Sequence, residues 1–353
     1  MPQPRRPLSP AEVEAVCAAY SLGNPVSSVL VHEGTSSLYR TVCVSPRGAR
    51  TVAVKVQDAG ESVISAKQLE AAVLSAVGPT FPLVPMLLHP GVPRHPMRGQ
   101  EWGLLTGEFA ISVYKWVENA RPWRGTARQR QSTVAALSML QNRLNALSSS
   151  HGIMGRVNPV ASILDIEFPG FIDEFAGSER RRLQGAPLAG LDALQLSYLD
   201  DTLDLLRQTL LDDWRRLTEY SAGLVHMDFT PGNCGYDDND ALTIVFDFES
   251  VGLGVLPLFG AIAIGAFSIS HETTAPEVVA AMQVMVNELR HCSPALSPPP
   301  GLTLPLLRLA YLDAVRRQLA ARRQNPVRRW GFLREDLTNL RWLDANASSI
   351  AEF

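Results

Sequence analysis

Leu224-Val225-His226-Met227-Asp228-Phe229-Thr230-Pro231-Gly232-Asn233 is followed by the apolar run Leu242-Thr243-Ile244-Val245-Phe246 and then by Asp247-Phe248-Glu249. Taken singly, the aspartates and the asparagine have a plain reading as helix caps and turn formers. Taken together they give H-x-D-x-x-x-x-N, a hairpin, and an acid that ends an apolar strand. Asp237, Asp238 and Asp240 sit at the tip of that hairpin and read as turn residues, not as a metal cluster.

That order suits phosphoryl transfer. The reaction needs an acceptor for the attacking hydroxyl's hydrogen bond and oxygen ligands that hold Mg²⁺ against the phosphates. Asp228 is placed to orient the nucleophile, and Asn233 and Asp247 to coordinate the metal. One amide and one carboxylate suffice, because Mg²⁺ keeps water and phosphate oxygens as its other ligands. His226 is expected to brace the loop and not to exchange protons.

The segment resembles the aminoglycoside phosphotransferase-like family, small-molecule kinases that share the protein-kinase fold. Its members carry the same histidine, aspartate and asparagine run and an apolar strand ending in D-[WF]-E. The resemblance implies a small antiparallel-sheet N-lobe and a larger helical C-lobe, an α+β fold divided here into residues 1–117 and 118–353. It also implies features upstream. Thr51-Val52-Ala53-Val54-Lys55-Val56 alternates with a period of two, so Val52, Val54 and Val56 share one face and Thr51, Ala53 and Lys55 the other. The resemblance assigns Lys55 to phosphate oxygens and leaves room over Ala53 for a flat base; an isolated VAVK would equally be an edge strand with an exposed lysine.

Glu70 lies on the apolar side of a helix carrying Val73, Leu74 and Val77, where an unpaired carboxylate is costly. Lys55 is the partner expected for it, unless Glu70 reaches water at the margin of the stripe. Glu33-Gly34-Thr35-Ser36-Ser37-Leu38-Tyr39 is similar to the family's loop over the nucleotide, with amides and hydroxyls of Gly34, Thr35, Ser36 and Ser37 as phosphate caps. The strand Phe109 to Val117 runs into Glu118-Asn119-Ala120-Arg121-Pro122, like the family's linker. That places main-chain groups of Trp116, Val117 and Glu118 at the base. These elements cover residues 27 to about 260 in family order. A departure follows Glu249, where Gly252 to Phe259 lacks the two later acids that members carry.

Composition narrows the remaining classes. With 353 residues, 46% hydrophobic and 19% charged, the chain is an ordinary globular protein. A net charge of −3 gives no general attraction to nucleic acid. Lysine occurs only at 55, 67 and 115, against many arginines, so each one merits inspection. Four separated cysteines without C-x-x-C suggest a reducing, cytoplasmic setting without a disulfide framework. No charge falls between Glu249 and His271, but glycines and Pro257 interrupt the stretch, which reads as a loop and a buried helix, not a membrane span.

Elsewhere, Ser9-Pro10-Ala11-Glu12 is a capping box opening a helix to about Tyr20. Helices are expected at about 65–77, 126–147, 191–217, 256–268, 275–291, 303–323 and 332–351. The cofactors expected are Mg²⁺ and ATP or GTP as co-substrate, and the partner is a hydroxylated small molecule; the oligomeric state is not legible. Residues 156–221 hold twelve acids and seven arginines, and 302–345 hold nine arginines and four acids. The first segment favours a cationic substrate, though both read equally as solvated helix faces. An antibiotic of aminoglycoside, nucleoside or peptide type is the leading acceptor. A choline-, sugar- or amino-alcohol-type metabolite is the alternative, and a nucleotide-binding pseudokinase is the reading of another class.

Overall fold

The computed structural model describes residues 7–33, 36–81, 83–91, 98–148, 153, 222–269, 273–311, 314, 331–351 and 353. The predicted helix at 191–217 and the acidic segment 156–221 lie outside them. Six strands form one sheet: β1 (Asn24–Glu33), β2 (Ser37–Ser45), β3 (Gly48–Asp58), β4 (Arg98–Gln100), β5 (Gly103–Leu105) and β6 (Phe109–Lys115). Their spatial order is β1-β2-β3-β6-β5-β4, with every neighbouring pair antiparallel.

Helix α1 (Pro10–Ala19) opens as the sequence requires. The Glu12 amide N–H donates to Ser9 Oγ, while Glu12 Oε2 accepts from the Ser9 amide at 2.7 Å. The alternation in β3 decides the packing. Val52, Val54 and Val56 join Val13, Val16 and Cys17 of α1 in one apolar cluster. The α1 turn also brings Cys17 and Cys43, 26 residues apart in sequence, to an Sγ–Sγ separation of 3.1 Å, and both are free thiols. Two cysteines far apart in sequence thus meet where α1 packs on β2.

The opposite sheet face carries Ala53, Lys55 and Gln57 beside Tyr114, Ser112 and Ala110. Against it packs α2 (Glu61–Val77), four residues longer at its start than expected. Leu69, Val73, Leu74 and Val77 of α2 are continuous with the larger apolar cluster of the helical section. That section comprises α3 (Ala127–Leu147), a strand pair β7 (Ala222–His226) and β10 (Val251–Val255), the hairpin β8 (Cys234–Tyr236) and β9 (Leu242–Val245), α4 (Leu256–Ser268), α5 (Ala275–Cys292), a helical stretch at 303–311, and α6 (Gly331–Ala345) with a helical turn after it.

The uncharged run after Glu249 becomes β10 and the buried helix α4. A Cβ on Gly260 would lie 1.8 Å from the Leu296 carbonyl oxygen, so only glycine allows α4 to approach that backbone. Among the described residues no helix is long and apolar enough to cross a membrane. The acids at the hairpin tip are engaged locally: Asp237 Oδ1 accepts from the amides of Asn239 and Ala241, Asp238 pairs with Arg121, and Asp240 with Arg124.

Candidate active site in the cleft

Antiparallel pairing of β7 with β10 sets His226 opposite Val251, and the Met227 amide donates to the Ser250 carbonyl at 3.0 Å. The stretch leaving β7 therefore runs beside the stretch entering β10. Pro231–Asn233 then forms a single tight helical turn. Its last residue turns back: Asn233 Nδ2 donates to the Asp228 carbonyl at 2.9 Å and to Asp228 Oδ2 at 2.8 Å. The Asn233 carbonyl in turn accepts from the Phe246 amide at 2.7 Å, which fixes the residue before Asp247.

His226 is buried, and burial lowers its pKa, so the ring stays neutral. Nε2–H donates to the Phe246 carbonyl at 2.8 Å, and the ring meets Phe248 edge-on with centroids 4.9 Å apart. The histidine ties the two stretches together.

Asp247 has φ 66° and ψ 48°, the left-handed region. For a residue with a Cβ this costs about 1–2 kcal/mol, and aspartate is among the few that visit it. The twist lets the chain leave β9, present the Asp247 carboxylate to the sheet, and enter the Phe248–Ser250 turn that packs on α2.

Lys55 meets it there. Lys55 Nζ lies 2.7 Å from Asp247 Oδ1 and 2.8 Å from Glu249 Oε1, which also accepts from Gln57 Nε2 at 3.1 Å. The other Glu249 oxygen is 3.0 Å from Lys67 Nζ, and Lys67 is 3.1 Å from Glu70 Oε2. The Tyr114 hydroxyl donates to the same Glu70 oxygen at 2.8 Å. Two lysines thus face three carboxylates between the sheet, α2 and the Asp247 turn. Burial alone would strip protons from Lys55, but Glu249, Glu70 and Asp247 outweigh it and hold its pKa above the ordinary lysine value. Burial pushes Asp247 up to about 7, with Lys55 opposing and the charge of Glu249 adding to the rise. Glu249 goes the other way: burial would raise it, but Lys67 and Lys55 hold it below the usual carboxylate range.

One expectation is corrected. Glu70 is buried, as its helical position requires, but its cation is Lys67, three residues earlier on the same helix face, and not Lys55. Lys55 is instead taken by the two acids of the Asp-Phe-Glu turn. Lys67, Gln57, Tyr114 and Glu249 are the network members that the sequence reading gave no role. The i, i+3 spacing of Lys67 and Glu70 and the shared strand face of Lys55 and Gln57 were the available signals.

The remaining expected residues are distributed as follows. Gly34 and Thr35 lie outside the described residues. Ser36 is half-buried at the bend before β2. Ser37 pairs with Val56, so it points to the α1 side of the sheet and is buried there, away from Lys55. Ala53 pairs with Tyr114 on the cleft face. The Trp116 amide reaches the Thr51 carbonyl at 3.3 Å, whereas the main-chain groups of Val117 and Glu118 make no hydrogen bond among the described residues. The guanidinium of Arg40 lies 5.6 Å from the Trp116 ring centroid and 3.7 Å from a Glu118 carboxylate oxygen.

The donor set fits a hard divalent cation shared with phosphates. Asn233 spends its amide nitrogen on Asp228, which leaves Oδ1 as the free atom, and Asp247 offers a carboxylate one residue beyond the Asn233–Phe246 bond. Among the described residues no group of three or more His, Cys, Asp or Glu forms a protein-only metal cage.

Solved structures share this architecture over almost the whole chain. A microcompartment-associated aminopropanol kinase superposes with a TM-score of 0.63 at 16% identity, covering 98% of this chain and 99% of the other. An amicoumacin kinase solved with AMP-PNP, Ca²⁺ and amicoumacin gives 0.57 at 14% identity, covering 94% and 91%. An aminoglycoside phosphotransferase from Alicyclobacillus acidocaldarius gives 0.56 at 14% identity, covering 98% and 94%. No curated protein matches the sequence. Residues 40–256, more than half of the chain, match the model of the phosphotransferase enzyme family, and the chain belongs to that family of nucleotide-dependent small-molecule kinases.

Proposed function

We propose that the chain moves the γ-phosphoryl group of ATP or GTP, with Mg²⁺, onto a hydroxyl of a small-molecule antibiotic. The observation that carries this reading is the contact of Lys55 with Asp247 at 2.7 Å, which joins the sheet to the turn bonded through Asn233 to Asp228. Four residues spread over nearly 200 positions meet along one line of contacts, the arrangement that positioning of a triphosphate requires.

In this reading Asp228 accepts the hydrogen bond of the attacking hydroxyl. Asn233 Oδ1 and the Asp247 carboxylate hold Mg²⁺, which when bound neutralises phosphate charge. Lys55 binds phosphate oxygens, and amides of Gly34 to Ser37 cover them. Ala53 and the unbonded main chain of Val117 and Glu118, next to Trp116, hold the base. Glu70 serves through the network and not as the direct partner of Lys55. The lobe boundary falls at 117/118, just past the end of β6 at Lys115.

The antibiotic acceptor is supported by the resemblance and by a fold shared with an amicoumacin kinase and an aminoglycoside phosphotransferase. An amino-alcohol acceptor is the second reading, favoured by the aminopropanol kinase likeness. The acidic balance of residues 156–221 favours the cationic members of both classes. A screen of labelled γ-phosphate transfer across antibiotic classes, amino alcohols and sugars tests this. A phosphorylated antibiotic is the expected product; transfer only to amino alcohols or sugars would replace the antibiotic reading with the second.

A further inference from the structure

Lys67 is fully buried, and none of the roles above uses it. Its ammonium group joins two carboxylates from different parts of the chain, Glu70 on α2 at 3.1 Å and Glu249 on the Asp247 turn at 3.0 Å. Glu249 in turn divides its oxygens: one faces Lys67, and the other holds Lys55 at 2.8 Å and Gln57 at 3.1 Å. Lys55 and Glu70 form no ion pair.

The two partners of Lys55 differ in exposure and in what else holds them. Asp247 is the more exposed, at 26% against 14% for Glu249, and it is the carboxylate a cation would draw away. Glu249 has a second, buried cation to keep it in place. Removing that cation would leave Glu249 and Glu70 close together with one positive charge fewer, and both would have to reorganise. We infer that Lys67 is a positioning residue of this kinase, holding Glu249 so that Glu249 fixes the direction of Lys55, and replacing Lys55 as the partner of Glu70. The phosphate-binding lysine is then aimed by the Asp-Phe-Glu turn, and α2 is coupled to that turn through Lys67. The inference rests on the kinase reading.

The test compares binding of ATP with Mg²⁺ (GTP where ATP does not bind) by calorimetry, with melting temperature recorded alongside. The variants are Lys67→Met/Glu70→Gln, which removes one charge of each sign, Glu249→Gln, Glu70→Gln and Lys67→Arg. The double variant and Glu249→Gln are expected to weaken nucleotide binding about tenfold or more, with the melting temperature of the double variant within about 5 °C of wild type. Glu70→Gln is expected to lose several-fold less affinity than Glu249→Gln, and Lys67→Arg to retain most of the affinity because its fork can reach both carboxylates. Unchanged affinity in the double variant overturns the inference, as does a loss in Glu70→Gln equal to that in Glu249→Gln. Should the double variant not fold, Glu249→Gln decides by the same criterion. A wild-type chain that binds neither nucleotide overturns the kinase reading as well; one that binds, with a double variant that binds equally, overturns this inference alone.

Discussion

Asp228 and Asp247 both lie on the line of contacts through Asn233, yet their surroundings differ. Asp228 accepts from Asn233 Nδ2 at 2.8 Å and forms no ion pair among the described residues, which suits it to an incoming hydroxyl. Asp247 is held by Lys55 in a backbone conformation that costs energy. Asp228→Asn is therefore expected to lower the rate of transfer about 10²- to 10⁴-fold while nucleotide affinity stays within about threefold. Asp247→Asn is expected to act on binding, weakening the affinity for nucleotide with Mg²⁺ by about tenfold or more. Steady-state rates and calorimetry on the two variants separate the cases; equal loss of nucleotide affinity in both would contradict the division.

The proximity of Asp228, Asn233 and Asp247 was legible because short-range spacing carries it. The pairing of Glu70 was not, since its helical position shows that it needs a cation but not which of two lysines faces it. Only the packing of α2 against the Phe248–Ser250 turn decides that.

Elements are placed by signals of different strength. A capping box marked α1, helical spacing α3 and alternation β3; the structure adds a cap to α3, where Thr126 accepts the Gln129 amide at 3.1 Å and donates to Asp240 at 3.0 Å. Thr126→Ala is expected to cost about 1 kcal/mol, read as a lower denaturant midpoint at unchanged slope. The close crossing at Gly260 has no such signal, because an uncharged helix rich in glycine does not announce which glycine touches a neighbour. Gly260→Ala forces a Cβ onto the Leu296 carbonyl and is expected to destabilise by about 3 kcal/mol or more, or to prevent folding; a melting temperature like that of wild type would show that α4 can shift. The Cys17–Cys43 approach was equally hidden, since it depends on α1 lying over β2.

In the whole molecule, two apolar clusters serve the two faces of the six-stranded sheet. One cluster binds α1 to the outer sheet face, and the other runs from α2 through β7 and α4 to α6. Because α2 belongs to the larger cluster while standing against the Lys55 face of the sheet, the charge network of Lys55, Lys67, Glu70 and Glu249 ties the sheet and α2 to the Asp247 turn. A crystal structure with a non-hydrolysable ATP or GTP analogue and Mg²⁺ examines that arrangement as a unit. The expected result has Lys55 on phosphate oxygens, Asn233 Oδ1 and the Asp247 carboxylate on the cation, and Asp228 facing the γ-phosphate. A nucleotide bound elsewhere, or a cation held without Asn233 and Asp247, would contradict the account.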